Sequence, residues 1–291
     1  LSAWFDIGLL ELVRIDWNSS ASLLEKLIAY ESVHAIKSWD DMKNRLDVDR
    51  RCYGFFHPNM PNEPLIFVQV ALVDGISQNV SELLDETKPA VDPAEANTAI
   101  FYSISNAQRG LDGISFGNFL IKQVVEELSK ELPNLKTFST LSPIPGFSKW
   151  FFNQITEDPS GLLTKIDKKK LSLFSDAQSD EAILTDIFGH IQQKTSEGSE
   201  TDKEISDFFI KLAAIYLVTA KGKNGKVRDP VGHFHLSNGA RIERINWDAD
   251  NSARGRKQSF SLMVNYLYNL RDIKGNSSSY DSDKIVAQSA S

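Results

Sequence analysis

The fold is decided by residues 98–135, which read TAIFYSISNAQRGLDGISFGNFLIKQVVEELSKELPNL. The first nine residues, TAIFYSISN, alternate toward their end as in a β-strand. Gly110, Gly113 and Gly117 follow, and an amphipathic segment then runs to Pro133. The apolar residues on one face of that segment are Phe119, Leu120, Val124, Val125 and Leu128. The stretch therefore predicts a strand, a glycine-rich turn and a helix.

The flanking sequence extends this pattern. RRCYGFFH at 50–57 and PLIFVQVALV at 64–73 predict two more strands, and the proline-rich HPNMPNEP between them predicts a turn. Residues 21–47 have helical spacing, and residues 151–226 are helical and polar in character. The order of these elements predicts the α/β (α+β) class, with a mixed central sheet flanked by helices.

Composition excludes several classes of protein. The 291 residues carry a net charge of −7, which argues against nucleic acid as a bulk partner. Cys52 is the single cysteine, so neither an intramolecular disulfide nor a cysteine-based zinc site can form. No apolar run approaches the ~20 residues of a membrane helix, so no membrane partner is predicted.

The segment HFHLSNGARIERINWDADNS at 233–252 contains two alternating histidines. As a strand it would place His233 and His235 on one face, where they could hold a metal ion together with a third ligand. No H-E-x-x-H motif or similar partner supplies that ligand, so no metal is predicted. A single functional histidine facing a pocket is the favoured interpretation.

Two further segments could carry chemistry. In FSTLSPIPGF at 138–147 the strand period puts Thr140 and Ser142 on one face, and Pro143 then ends the ladder. Ser142 would therefore sit at a strand end, either as a turn residue or as a side chain in a cleft. The glycine-rich turn before the helix could bind phosphate through its backbone N–H groups or could simply be a tight turn.

Four segments resemble the malonyl-CoA decarboxylase family: FYSISNAQRGLDGISFGNFLIKQVVEEL, FSTLSPIPGF, FHLSNGARIERINWDAD and LMVNYLY. The similarity runs from WFDIGLLELVRIDW near the start to the C-terminal tail. The resemblance implies a catalytic domain with a fold like that of the GNAT acetyltransferases, here residues 51–291. Residues 1–50 would then be a helical lead-in, a remnant of the helical domain that precedes the catalytic domain in this family or its linker.

The resemblance also implies the site. It gives Ser142 and His235 as the catalytic pair and places Ser103 and Tyr268 in the active site. The loop implied to bind malonyl-CoA comprises Asp112, Gly113, Ile114, Ser115, Phe116, Gly117 and Asn118. Ser115 is a departure, because many relatives carry a glutamate at this position.

The implied reaction is the decarboxylation of malonyl-CoA to acetyl-CoA and CO₂. Ser142 would orient the malonyl group or accept a proton, and His235 would donate a proton to the nascent carbanion. The thioester carbonyl is itself the electron sink, so no cofactor is expected. Two alternatives stay open: an acyl-CoA N-acyltransferase of the same fold, and a non-catalytic malonyl-CoA sensor suggested by Ser115.

The expected partners are malonyl-CoA and acetyl-CoA, without nucleic acid or membrane. A homo-oligomer is left open, because most of the family's helical domain lies outside this sequence. The cytoplasm is the expected compartment, with mitochondrion and peroxisome as alternatives.

Overall fold

The computed structural model describes residues 9–107, 117–158, 161–171, 175–177, 179–193 and 200–290. The strands are β1 (Glu11–Ile15), β2 (Arg50–His57), β3 (Met60–Val73), β4 (Thr98–Asn106), β5 (Thr137–Thr140), β6 (Ser142–Pro143), β7 (Arg241–Asn246) and β8 (Met263–Leu267). The helices are α1 (Ala21–Tyr30), α2 (Trp39–Asn44), α3 (Val80–Leu83), α4 (Gly117–Glu131), α5 (Phe147–Glu157), α6 (Lys165–Leu171), α7 (Asp180–Gln193), α8 (Glu200–Thr219), α9 (Pro230–Ser237), α10 (Ala253–Ser259) and α11 (Ile273–Asp283).

The contacts within the chain divide it into two compact units. Unit 1 comprises Leu1–Ser142, Phe234–Arg244 and Asn265–Ser291. Unit 2 comprises Pro143–His233 and Ile245–Val264. The chain therefore passes more than once between the units.

Unit 1 is built on a mixed sheet with the strand order β1-β2-β3-β4-β5-β8-β6, and β7 pairs with β8 off this path. The strands β1 to β4 pair antiparallel, whereas β4 and β5 pair in parallel, with Thr98 opposite Thr137 and Phe101 opposite Thr140. The parallel pair is joined through α4, as a crossover connection requires. The predicted α/β class with a mixed sheet is confirmed.

The helix α1 packs against one part of this sheet. Ser20 caps it, since the Ser20 side chain accepts a hydrogen bond from the Leu23 backbone N–H. The apolar cluster formed there consists of Ile15, Leu23, Leu24, Leu27, Ile36, Met42, Cys52, Phe56 and Phe67. Cys52 is buried, which raises the pKa of its thiol and makes it unreactive. Residues 9–50 thus fold with unit 1, and the predicted domain boundary after residue 50 stays a prediction about the family.

Unit 2 is predominantly helical, and its interior is more aromatic than the polar sequence predicts. The Phe147 ring lies 5.9 Å from the ring of Tyr216 and 5.8 Å from that of Phe260. Phe151 and Phe209 belong to the same cluster, and their ring centroids lie 5.3 Å apart. Rings at these separations bury large apolar areas and add favourable edge and stacking contacts.

The predicted strand that contains both histidines is wrong, because residues 230–237 form the helix α9. Pro230 occupies the first helical position, where its fixed φ favours a helix, and Asp229 accepts the Gly232 backbone N–H at 2.8 Å. Gly239, at φ +79°, ends the helix. The strand begins only after this stop, at Arg241.

Three other boundaries differ from the predictions. Residues 60–64 belong to β3 rather than to the predicted turn, and α10 and α11 form where the sequence predicts no helix. The tail helix is anchored by Tyr280, which is buried. A short polar helix needs such tertiary contacts, because its own propensity gives little stability.

Candidate active site

Ser142 is the first residue of the two-residue strand β6, which follows β5 along the chain and lies next to β8 in the sheet, and it is buried. Its Oγ donates a hydrogen bond to Thr140 Oγ1 at 2.9 Å and lies 3.1 Å from His235 Nε2. Thr140 Oγ1 also accepts the Tyr266 backbone N–H at 3.2 Å. The strand period therefore predicts the shared face of Thr140 and Ser142 correctly.

His235 is buried near the end of α9 and uses both ring nitrogens. Opposite Ser142, the His235 Nδ1 lies 2.7 Å from the Tyr268 hydroxyl. The ring of Tyr266 stacks on the imidazole, with centroids 4.6 Å apart and planes inclined by 25°. We call Ser142, His235 and Tyr268, with Thr140 and Tyr266 packed against them, the histidine cluster.

His233 does not share the face of His235, as a strand would require. On a helix, residues two apart point in directions about 200° apart. His233 is half-buried in unit 2, whereas His235 belongs to unit 1. The predicted same-face pair is therefore wrong, although His235 is the buried imidazole of the two.

Burial keeps the histidine cluster uncharged. It lowers the pKa of His235 to about 3 and raises that of Tyr268 well above its usual value, because the charged form of each group would lose its hydration. Near neutral pH the imidazole and the phenol are thus both neutral. The cluster is a row of uncharged hydrogen-bonding groups that can pass protons along it.

Ser103 belongs to a second cluster in unit 1. Its Oγ lies 2.8 and 2.7 Å from the two carboxylate oxygens of Glu31, at the end of α1. Glu31 also accepts from Gln69 Nε2 at 2.5 Å and from Ser105 Oγ at 3.1 Å. These described bonds connect Ser103 to the start of the chain, not to Ser142, His235 or Tyr268.

An ion pair completes this second cluster. The Arg45 guanidinium is buried and binds both carboxylate oxygens of Asp41, at 2.6 and 3.2 Å. Arg45 also donates to the His34 carbonyl at 2.9 Å and to Gln69 Oε1 at 3.4 Å. We call Glu31, Arg45, Asp41, Gln69, Ser103 and Ser105 the glutamate cluster.

The predicted malonyl-CoA loop falls mostly on residues that the structure leaves undescribed. Asp112, Gly113, Ile114, Ser115 and Phe116 lie outside the described residues. Gly117 and Asn118 are the first two residues of α4. The described part of α4 starts at Gly117 and runs through the predicted amphipathic segment.

In unit 2, Asp229 connects the turn after Ser142 with the start of α9. This fully buried carboxylate accepts from the backbone N–H groups of Gly232 and Gly146 and from the Tyr216 hydroxyl. Burial raises the pKa of Asp229, and these donors act in the opposite direction. The motif PIPGF and the helix that leads to His235 are therefore tied to one buried side chain.

Sequence reasoning missed Tyr266 and Asp229 as neighbours of the predicted residues. Strand alternation placed Thr140 on the face of Ser142, but the sequence analysis gave Thr140 no role. Tyr266 and Asp229 gave no local signal, since their roles depend on contacts between distant segments.

Within the described part of the chain, no group of three or more His, Cys, Asp or Glu side chains could hold a metal ion. None of the described helices combines the length and apolar character that a bilayer crossing requires.

The mixed sheet and its helices define a protein of the α/β class with a mixed sheet. A solved structure of GphF, described as a GNAT-like decarboxylase in complex with isobutyryl-CoA, shares this fold with a TM-score of 0.51. That likeness covers 90% of this chain and 100% of GphF at 15% sequence identity, so it concerns the fold alone.

Closer relatives define the family. The family model of the malonyl-CoA decarboxylase C-terminal domain matches residues 8–291, and this chain belongs to that family. The crystal structure of malonyl-CoA decarboxylase from Rhodopseudomonas palustris is 45% identical, with a TM-score of 0.87 over 99% of this chain and 67% of that one. The mitochondrial malonyl-CoA decarboxylase of Anser anser anser is 39% identical over 99% of this chain. This chain spans 58% of the goose protein.

Proposed function

We propose that this chain decarboxylates malonyl-CoA to acetyl-CoA and CO₂. The observation that carries the proposal is the uncharged row in which Ser142 Oγ lies 3.1 Å from His235 Nε2 and Tyr268 lies 2.7 Å from Nδ1. The names of its relatives support the substrate, and the family's C-terminal domain covers the same residues. Malonyl-CoA and acetyl-CoA are thus the proposed ligands.

The reaction breaks one carbon–carbon bond. The electron pair of that bond moves into the thioester, forming an enolate, and the carboxylate leaves as CO₂. The thioester carbonyl accepts the charge, so we propose that neither a metal nor an organic cofactor takes part. The protein has to orient the carboxylate, stabilise the enolate and supply a proton to its carbon.

We assign the donation of the proton to the enolate carbon to His235, with the Tyr268 hydroxyl supplying a proton to the other nitrogen of the His235 ring. A neutral imidazole can release its Nε2 proton without becoming an anion if Nδ1 receives another proton at the same time. The Tyr268 hydroxyl is in place to supply that proton. The enolate carbon thus takes the Nε2 proton, Nδ1 takes the phenol proton, and Tyr268 regains one from solvent. This balances the single proton that the overall reaction consumes.

Ser142 is proposed to orient the malonyl group, because its Oγ lies beside the His235 nitrogen that would donate. The loop Asp112–Asn118 is proposed to hold CoA, with the N-terminus of α4 favouring its phosphates. Ser103 lies on β4, the strand that leads into this loop. Its bonds to Glu31 support a role in fixing that strand end.

The test is incubation of the purified protein with malonyl-CoA while acetyl-CoA and CO₂ are both quantified. Equal release of the two products is the expected result. Acyl transfer to an added amine without CO₂ would favour the N-acyltransferase. Tight binding of malonyl-CoA without either product would favour the sensor.

The compartment and the assembly state are proposals of the same kind. The goose relative carries the word mitochondrial in its name, which describes the compartment of that protein. For this chain the cytoplasm remains the prediction, and cell fractionation of the natural protein tests it. Sedimentation analysis of the same protein tests whether it forms a homo-oligomer.

A further inference from the structure

Asn238 is a buried amide that the mechanism above does not use. Its side chain is 3% exposed, and neither Nδ2 nor Oδ1 makes a hydrogen bond to any described residue. A buried amide without partners destabilises a folded protein, so such a group is rare unless a ligand or water satisfies it.

The backbone holds Asn238 next to His235. The Asn238 N–H donates to the carbonyls of Phe234 and His235 at 3.2 and 3.1 Å, so residue 238 continues the last turn of α9. Residues three apart lie on the same helix face, so the Asn238 side chain points the same way as the imidazole.

The end of α9 is also fixed from outside. Gly239 has φ +79°, and a Cβ there would clash with the Ile273 carbonyl oxygen. Ser277 Oγ donates to the Ser237 carbonyl at 2.7 Å. With α11 packed this closely, the position of Asn238 does not depend on its own side chain.

The amide lies beside Tyr268 as well. The Asn238 side chain faces the Tyr268 phenol and acts on it as a hydrogen-bond donor would, lowering the pKa of Tyr268 against the larger effect of burial. The Asn238 polar atoms do not meet the distance and angle of a full hydrogen bond with any described residue. The amide group is therefore close to the phenol–imidazole pair, and its contact with the phenol falls short of a full hydrogen bond.

Asn265 shows how a structural asparagine looks in the same unit. It is fully buried, and its Nδ2 donates to the carbonyls of Ser77 and Thr140 at 3.1 and 2.7 Å. Asn265 and Asn238 are both buried, but only the side-chain amide of Asn265 forms full hydrogen bonds. Asn265 is thus a matched control.

We propose that Asn238 Nδ2 donates a hydrogen bond to the thioester oxygen of the substrate and stabilises the charge that collects there as the enolate forms. This rests on the proposed decarboxylase function. When the carbon–carbon bond breaks, the negative charge moves onto that oxygen, while the proton from His235 goes to the carbon. Asn238 and His235 thus serve the two ends of the same enolate. A fixed donor in a dry site is an effective way to stabilise such a charge.

Asn238→Leu tests the proposal, because leucine has a similar volume and no donor. The kcat for decarboxylation should fall about 10²–10³-fold, as it does when one oxyanion donor is removed. The KM for malonyl-CoA should change little, since the bond strengthens only as charge develops. The Tm should stay level or rise, because no satisfied bond is lost.

Asn265→Leu should show the reverse in stability. It removes a donor from two buried carbonyls, so its Tm should fall by about 2–4 °C or more. A drop in the Tm of N238L equal to that of N265L would overturn the proposal and make Asn238 a structural residue. Asn238→Ala, which adds no branched side chain, repeats the test if N238L fails to fold.

Deuterium exchange into acetyl-CoA separates this proposal from the reaction itself. In D₂O the enzyme should exchange the acetyl methyl protons through the same enolate, and mass spectrometry measures the exchange. Loss of exchange in N238L, with wild-type exchange intact, is the expected result. Normal exchange and turnover in N238L overturn the assignment of Asn238 alone. A wild-type protein that neither exchanges nor decarboxylates overturns the proposed function and this assignment with it.

Discussion

The histidine cluster and the glutamate cluster are both buried in unit 1, but they differ in charge. His235 and Tyr268 are neutral at ordinary pH, since burial shifts their pKa values in the directions that favour neutral forms. The glutamate cluster instead contains the buried ion pair of Arg45 and Asp41, beside the carboxylate of Glu31.

The two clusters also differ in how far their hydrogen-bonding capacity is used. Glu31 accepts from Ser103, Ser105 and Gln69 and from the backbone N–H groups of residues 33 and 34. Such a saturated carboxylate has little capacity left for a ligand. The histidine cluster has the unused amide of Asn238 beside it. Saturated charge is typical of a structural cluster, and neutral groups with spare donors are typical of a reacting one.

The largest expected effect comes from His235→Gln. Loss of the proton donor should lower kcat about 10²–10⁴-fold, while far-UV circular dichroism and CoA binding stay close to wild type. His233→Gln is the control, and it should retain near-normal turnover. Full activity in the His235 variant would remove the histidine cluster from the mechanism.

Arg45→Met should act on stability instead. It leaves the Asp41 carboxylate buried without its partner, so the free energy of unfolding should fall by about 3–5 kcal/mol in urea titrations. A double variant that also carries Asp41→Leu should recover much of this loss, because no unpaired charge remains. A single variant as stable as wild type would show that the ion pair is not structural.

The pH dependence of stability separates the clusters again. Between the free value of 6.5 and the folded value of about 3, the unfolded chain binds a proton at His235 that the folded chain does not. The free energy of unfolding should therefore fall as pH drops through this window, by about 1.4 kcal/mol per pH unit from this group. His235→Asn should remove that part of the slope. Parallel curves for the two proteins would contradict the buried neutral imidazole.

Ser103→Ala should lower the free energy of unfolding less than Arg45→Met does. The Glu31 carboxylate loses one of several donors, so the free energy of unfolding should fall by about 1–2 kcal/mol. The kinetic parameters then define what Ser103 does. A rise in the KM for malonyl-CoA agrees with a strand end that positions the CoA loop, whereas a large loss of kcat at constant KM would place Ser103 at the reacting atoms.

The smallest expected effect is that of chelation. Exhaustive treatment with EDTA should leave decarboxylation unchanged, because the proposed mechanism uses only side chains and the thioester. Metal analysis before and after treatment provides the control. Activity that is lost with EDTA and restored by zinc would show that a ligand set was overlooked.

Local sequence patterns were enough for much of the sheet. β2 and β4 match the predicted strands, because alternation and β-branching are properties of the strand itself. The helix in the segment that follows the glycines and the shared face of Thr140 and Ser142 follow from the same kind of local signal. The helix α9 was missed because its evidence is at its ends, in Pro230 and Gly239, while the residues between them have no clear period.

By itself, the sequence determined the class of fold, the shared face of Thr140 and Ser142 and the family to which the chain belongs, since each depends on neighbouring residues. Only the tertiary structure decided which distant groups meet. His235 lies 93 positions from Ser142 and 33 from Tyr268, and Ser103 lies 72 from Glu31. Burial then decided their charge, because the pKa of a side chain depends on the solvent that folding removes around it. No local sequence pattern contains these contacts or these charges. Ser103 and His235 are therefore both candidate site residues in the sequence, but in the fold Ser103 contacts a carboxylate and His235 belongs to a neutral cluster.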